Sequence, residues 1–173
     1  MTGSVVLITG IMAAGKSTVA QLLAERLPRS VHVRGDLFRR MVVSGRADVG
    51  PDLSAEALAQ LRLRYRLSAL VADEYADAGF TAVVQDVALG ADLPAWVAMF
   101  RTTPSVVVLA PSVAAVEARE AARGKTGYGS WTVSDLDAGL RDGTPRVGLW
   151  LDTSDQTADQ TVDAIVARLR SHR

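Results

Sequence analysis

The amino-acid sequence predicts an α/β fold, a parallel β-sheet covered by helices, on two observations. Short apolar, β-branched runs alternate with segments of helical spacing from end to end, the pattern of parallel strands joined by crossover helices. The first such run, residues 4–9, leads directly into Gly10-Ile11-Met12-Ala13-Ala14-Gly15-Lys16-Ser17, a full match to the phosphate-loop pattern G-x-x-x-x-G-K-[ST]. The 173 residues suffice for one domain with a real core, and they contain no internal repeat, low-complexity tract or linker. One P-loop NTPase domain over residues 1–173 is therefore expected.

The elements follow in order. Ser4-Val5-Val6-Leu7-Ile8-Thr9 reads as a buried strand, and residues 17–27 as a helix with Val19, Leu22, Leu23 and Leu27 on one face. Pro28 breaks the chain before a short second strand, Val31-His32-Val33. Asp36 starts a helix to about Val43, and residues 44–54, rich in Gly, Asp and Pro, read as a loop. Ser54 can cap a long helix reaching Ala78, with Gly79 as its stop. Strand three is 81–86, followed by a helix over 93–101 and a fourth strand over 105–110. Ser112 opens a helix to Arg123. Residues 124–131 then read as a small glycine-spaced lid, and Thr132 with Asp135 three residues on begins another helix. A fifth strand, 147–152, and a helix over 157–169 close the chain.

The loop at 10–17 has a chemical logic. Gly10 and Gly15 let the backbone curl so that successive N–H groups, those of Ala13, Ala14 and Gly15 among them, face a phosphate. Lys16 reaches the β- and γ-phosphates, the Ser17 hydroxyl can hold the Mg2+ that bridges them, and Thr18 follows on the same turn. ATP and Mg2+ are thus the expected cofactors. The rest of the composition narrows the partners. Lys+Arg and Asp+Glu both number 19, so there is no bulk attraction to nucleic acid or to an anionic membrane. Cysteine is absent, which excludes disulfides and thiolate metal sites. Without a signal-peptide pattern or a membrane-length apolar run, a soluble cytoplasmic protein is expected.

Four stretches carry a resemblance to a known family: the loop at 10–18, Gly35-Asp36 after strand two, Gln85-Asp86-Val87-Ala88-Leu89-Gly90-Ala91 after strand three, and Val113 to Gly124 with Arg119-Glu120-Ala121-Ala122-Arg123. Together with Leu151-Asp152-Thr153-Ser154, they resemble the chloramphenicol phosphotransferases among the nucleoside monophosphate kinase-like proteins. The resemblance implies a five-stranded parallel sheet in the order 2-3-1-4-5. It also implies transfer of the ATP γ-phosphoryl group to a hydroxyl of a small molecule. Met12 and Ala13 stand where that family has small polar residues, Gln85 replaces the first acid of an Asp-Asp pair, and residues 124–129 differ from the family's lid. These departures leave ATP use intact and the identity of the acceptor open.

The remaining candidates come from position. Asp36 lies past the carboxyl end of strand two, where ligands bind in open α/β sheets, and by resemblance it is the base for the acceptor hydroxyl; it can equally cap the helix it begins. Asp86 ends strand three as a metal-holding carboxylate would, or as an ordinary turn aspartate. Arg119 and Arg123, four apart on one helix face beside the lid, can stabilise the transferring phosphoryl or simply answer Glu117 and Glu120. Lys125, Tyr128 and Trp131 fall on the lid, with Trp131 expected to anchor it to the core. Arg39, Arg40, Arg62, Arg64 and Arg66 read mostly as a solvated basic face. The expectation is a small-molecule kinase. The alternatives are a kinase for a nucleoside, sugar or polynucleotide end, and a regulatory ATPase.

Overall fold

A computed structural model describes residues 3–51, 53–124 and 131–171. Five strands form one parallel sheet: β1 (Ser4–Thr9), β2 (Ser30–Arg34), β3 (Thr81–Gln85), β4 (Ser105–Leu109) and β5 (Leu149–Leu151), in the order β2-β3-β1-β4-β5. The phosphate loop therefore leaves the central strand. Consecutive residues Val5 to Thr9 of β1 are all buried, so both faces of the sheet are covered, as the unbroken apolar run requires.

The helices are α1 (Lys16–Arg26), α2 (Gly35–Arg40), α3 (Ala55–Asp77), α4 (Asp92–Val97), α5 (Val113–Arg123), α6 (Val133–Arg141) and α7 (Ala158–Arg170). Their ends have local causes. Ser54, Ser112, Thr132 and Thr157 each accept a backbone N–H three residues on, and the last two complete capping boxes with Asp135 and Gln160. Gly124, left-handed at φ 61°, stops α5.

Four sequence expectations need adjusting. Helix α2 is shorter than 36–43, because Met41 and Val43 extend into solvent with no core to bury them. Helix α4 ends at Val97, and β5 is only three residues long, an edge strand that pairs with β4 alone. Pairing with β3 extends β2 by a residue at each end relative to the expected 31–33.

The core runs from the sheet into α1, α3 and α4. Trp96 of α4 is fully buried, stacked on Tyr65 of α3 at 4.9 Å, and donates its indole N–H to Tyr65 O and Ser68 Oγ. This packing fixes the face of α3 that carries Leu61, Arg64 and Tyr65 toward the carboxyl ends of the strands.

Candidate active site

An open cleft of about 1340 Å3 lies at those carboxyl ends. One wall is the phosphate loop with Met12, Ala13, Gly15, Lys16, Ser17 and Thr18; the other is built from α2, residues 47–51 and α3. Gly10 and Gly15 have φ of 148° and 96°. A side chain at Gly10 would also come within 2.5 Å of Leu109 O. The loop thus needs glycine at Gly10 both for its backbone angle and for its approach to β4. Ala13 is left-handed at φ 59° without being glycine, a strained conformation in the middle of the loop. Ala14 is buried and its N–H bonds Ile11 O.

Lys16 is folded back on its own loop, donating from Nζ to Ile11 O at 2.7 Å. Burial pushes its pKa down to about 8, with the charges of Arg123 and Arg64 adding to the effect and Asp86 opposing it. Ser17 Oγ accepts a hydrogen bond from Gln85 Nε2 at 3.2 Å, so the residue that stands where the resembled family has an acid orients the serine hydroxyl.

Asp36 lines the cleft on the wall opposite the phosphate loop, and its side chain is 38 % exposed. Its carboxylate accepts from Arg39 Nε at 2.8 Å and Arg40 Nε at 2.6 Å, and Arg39 also reaches Asp48. Burial alone would raise the Asp36 carboxyl, but the two arginine hydrogen bonds and charges outweigh it and hold the group below the usual carboxylate range. Arg39, 33 % exposed, therefore turns toward Asp36, while Arg40 pairs with the same carboxylate from a largely solvated position at 68 % exposed.

Asp86 is buried at the end of β3. Arg64 of α3 grips both its oxygens through Nε and Nη2, and Val87 N donates to Oδ1 at 2.7 Å. The backbone at Gly35 sits against the same carboxyl: a Cβ there would fall 2.7 Å from Asp86 Cγ. That close approach, and not a special φ, is why glycine precedes Asp36. Arg64 was expected on a solvated face, yet its side chain is only 15 % exposed. No local signal pairs residues 64 and 86, because they come from different elements that meet only once the sheet has formed.

Arg123, at the end of α5, lines the cleft near Lys16. Arg119 is placed differently. It donates to Ala14 O at 3.4 Å and Thr153 O at 2.6 Å, joining the phosphate loop to the segment after β5. Trp131 packs against the core as expected and lines the cleft; Lys125 and Tyr128, with most of the expected lid, lie outside the described residues. Among the described residues no cluster of three His, Cys, Asp or Glu side chains could hold a metal alone, and no helix is long and apolar enough to cross a membrane.

Solved structures share this architecture over nearly the whole chain. The Mycobacterium tuberculosis APS kinase CysC in complex with AMPPNP and APS superposes with a TM-score of 0.72 at 23 % identity, covering 98 % of both chains. A sugar kinase from Janibacter sp. matches with a TM-score of 0.69 at 19 % identity, covering 97 % of this chain and 95 % of the other. The Deinococcus radiodurans tunicamycin resistance protein matches with a TM-score of 0.70 at 15 % identity, covering 96 % and 95 %. No curated relative matches the sequence. Residues 5–141 match the family described as AAA domain, a span from β1 through α6 that includes the phosphate loop, Asp36 and Asp86. The chain belongs to that AAA domain family and has a P-loop kinase fold.

Proposed function

We propose that the protein is an ATP-dependent phosphotransferase that moves the γ-phosphoryl group to a hydroxyl of a small, antibiotic- or metabolite-like molecule. One observation carries this reading: a single cleft presents the phosphate loop with Lys16 and Ser17 on one wall and an ionised carboxylate, Asp36, on the other. Phosphoryl transfer needs both, while a nucleotide switch has no use for the second. Similarity to small-molecule kinases and to a tunicamycin resistance protein supports it, as does the resemblance to chloramphenicol phosphotransferases.

In this mechanism the loop amides and Lys16, turned away from Ile11 O, hold the β- and γ-phosphates. Ser17 fits Mg2+: its hydroxyl, oriented by Gln85, would supply one hard oxygen ligand of the kind this ion takes alongside phosphate and water. When bound, the ion screens the phosphate charge and withdraws electrons from the reacting phosphorus. The acceptor O–H gives its proton to the Asp36 carboxylate as its oxygen forms a bond to the γ-phosphorus. The bond from that phosphorus to the β–γ bridging oxygen breaks, and ADP leaves with the electron pair. Arg39 and Arg40 keep Asp36 ionised and aimed, Arg123 stabilises charge on the group in flight, and Arg119 steadies the loop through Ala14 O.

The test is a screen of hydroxylated antibiotics, nucleosides and sugars for ADP release, with mass spectrometry of the product. An alcohol that raises turnover many-fold and gains one phosphoryl group is expected. ATP turnover that responds only to added protein would replace the kinase with a regulatory ATPase.

A further inference from the structure

The buried Asp86–Arg64 pair is left unused by the chemistry above, although Asp86 stands where a metal-holding carboxylate was expected. An ionised carboxylate has about four lone-pair positions. Arg64 takes one on each oxygen, Val87 N takes a second on Oδ1, and the remaining one on Oδ2 lies on the side occupied by the Gly35 backbone. The Asp86 side chain is 3 % exposed, and Mg2+ would have to bring its coordinated water into that space. The carboxylate, although it borders the cleft, is therefore committed to the guanidinium and the Val87 amide.

Arg64 is committed only in part. Two of its five N–H groups face Asp86, and among the described residues no acceptor is seen for the other three. The side chain lines the cleft, and the charge of Asp36 reaches it from the acceptor wall. A planar donor fork fixed this rigidly, in the same cleft as Asp36, suits an oxygen acceptor group on a ligand.

We propose that Arg64 is a specificity-determining residue that binds the phosphoryl acceptor, and that Asp86 is the positioning residue that aims it and not a metal ligand. The acceptor class that follows is an alcohol that also bears a carbonyl or carboxylate oxygen for the guanidinium to bind. The inference rests on the kinase reading for the existence of an acceptor, but its first test does not need one.

Calorimetric titration of AMPPNP at graded Mg2+ is run on the wild type, Arg64→Met and the Arg64→Met/Asp86→Asn double variant, which leaves no unpaired buried charge to unfold the site. Mg2+ dependence within about threefold in all three is expected, since a carboxylate held by the guanidinium supplies no ligand to the metal shell. A loss beyond about tenfold in the double variant, or a comparable gain in Arg64→Met as Asp86 is freed, would make Asp86 a metal ligand and overturn the proposal. No AMPPNP binding by the wild type would instead overturn the kinase reading itself.

The second arm uses the alcohol found in the screen. Arg64→Met should raise its KM by about 10- to 100-fold, the worth of a charged hydrogen bond, with kcat changed by less than about threefold. Arg64→Lys should recover part of the loss, and the double variant should be no worse than Arg64→Met. An unchanged KM in Arg64→Met refutes the assignment.

Discussion

Gly35→Ala separates two physical effects by the sign of the result. Gly35 is the first residue of α2 and its φ is not in the left-handed region, so alanine can adopt the same backbone. By helix propensity and unfolded-state entropy alone, the change would stabilise the protein by up to about 1 kcal/mol. The added Cβ, however, lands 2.7 Å from Asp86 Cγ and 3.1 Å from Asp86 Cβ, and closer still to Oδ2. Overpacking of this kind costs about 1–3 kcal/mol. Displacing Asp86 also disturbs a buried pair whose outright loss costs about 3–5 kcal/mol, an upper limit here because both partners remain. The net expectation is a loss of about 2–4 kcal/mol, or a fall in Tm of about 5–12 °C for a domain of this length. Urea unfolding followed by circular dichroism, with an unchanged m-value, measures it. Repeating the substitution in the Arg64→Met/Asp86→Asn background should shrink the penalty, since the smaller network can yield. An alanine variant as stable as the wild type would mean that Gly35 and Asp86 are not pressed together, and the argument for a committed carboxylate would fail with it.

Other outcomes follow from the same geometry. Lys16→Ala should fold normally but lose detectable ATP binding by calorimetry; near-normal affinity would remove the phosphate-loop assignment. Because burial depresses the Lys16 pKa to about 8, the unfolded chain binds the extra proton between about pH 8 and 10.5. Stability of the free wild type relative to Lys16→Met should therefore rise with pH across that window while ATP affinity falls, and parallel trends would contradict a buried, titrating lysine. Asp36→Asn should keep ATP affinity within a few-fold but slow phosphoryl transfer by about 10²–10⁴-fold, and retained turnover with the true acceptor would sink the base assignment. Ala13→Gly should leave stability unchanged or raise it by up to about 1 kcal/mol in chemical denaturation, by relieving the left-handed alanine; a clear loss would place the strain elsewhere.

The parts legible in the sequence were those with a local code. Residues 10–17 announce themselves because phosphate binding needs consecutive backbone amides, and the strands do so because burial on both faces demands unbroken apolar runs. Asp36 was legible by position, since it sits past a strand end. Its partners were half-legible: Arg39 and Arg40 lie three and four residues on, but the same spacing also suits a solvated face. Arg64–Asp86 and Arg119–Ala14 were hidden, because each joins elements brought together only by the tertiary fold. The sequence expectation for α2 overshot because Met41 and Val43 are apolar by type yet unburied by place.

The two walls of the cleft are built to different tolerances. On the nucleotide side, Ile8, Ile11, Ala14 and Ala20 are buried and Gly10 abuts Leu109 O, so almost any substitution there disturbs the centre of the sheet. On the wall opposite the phosphate loop, Met41 and Val49 are 71 % and 42 % exposed, and residues 47–51 form a segment outside the sheet and helices. Replacing such residues changes few packed contacts and costs the fold little. Sequence drift can thus rewrite the exposed part of that wall, around Met41 and residues 47–51, while Arg64, Tyr65 and Asp86 are held by their packing as the phosphate loop is. That asymmetry gives the fold an evolutionary freedom confined to the exposed rim of the cleft, where side chains can change at little cost in stability.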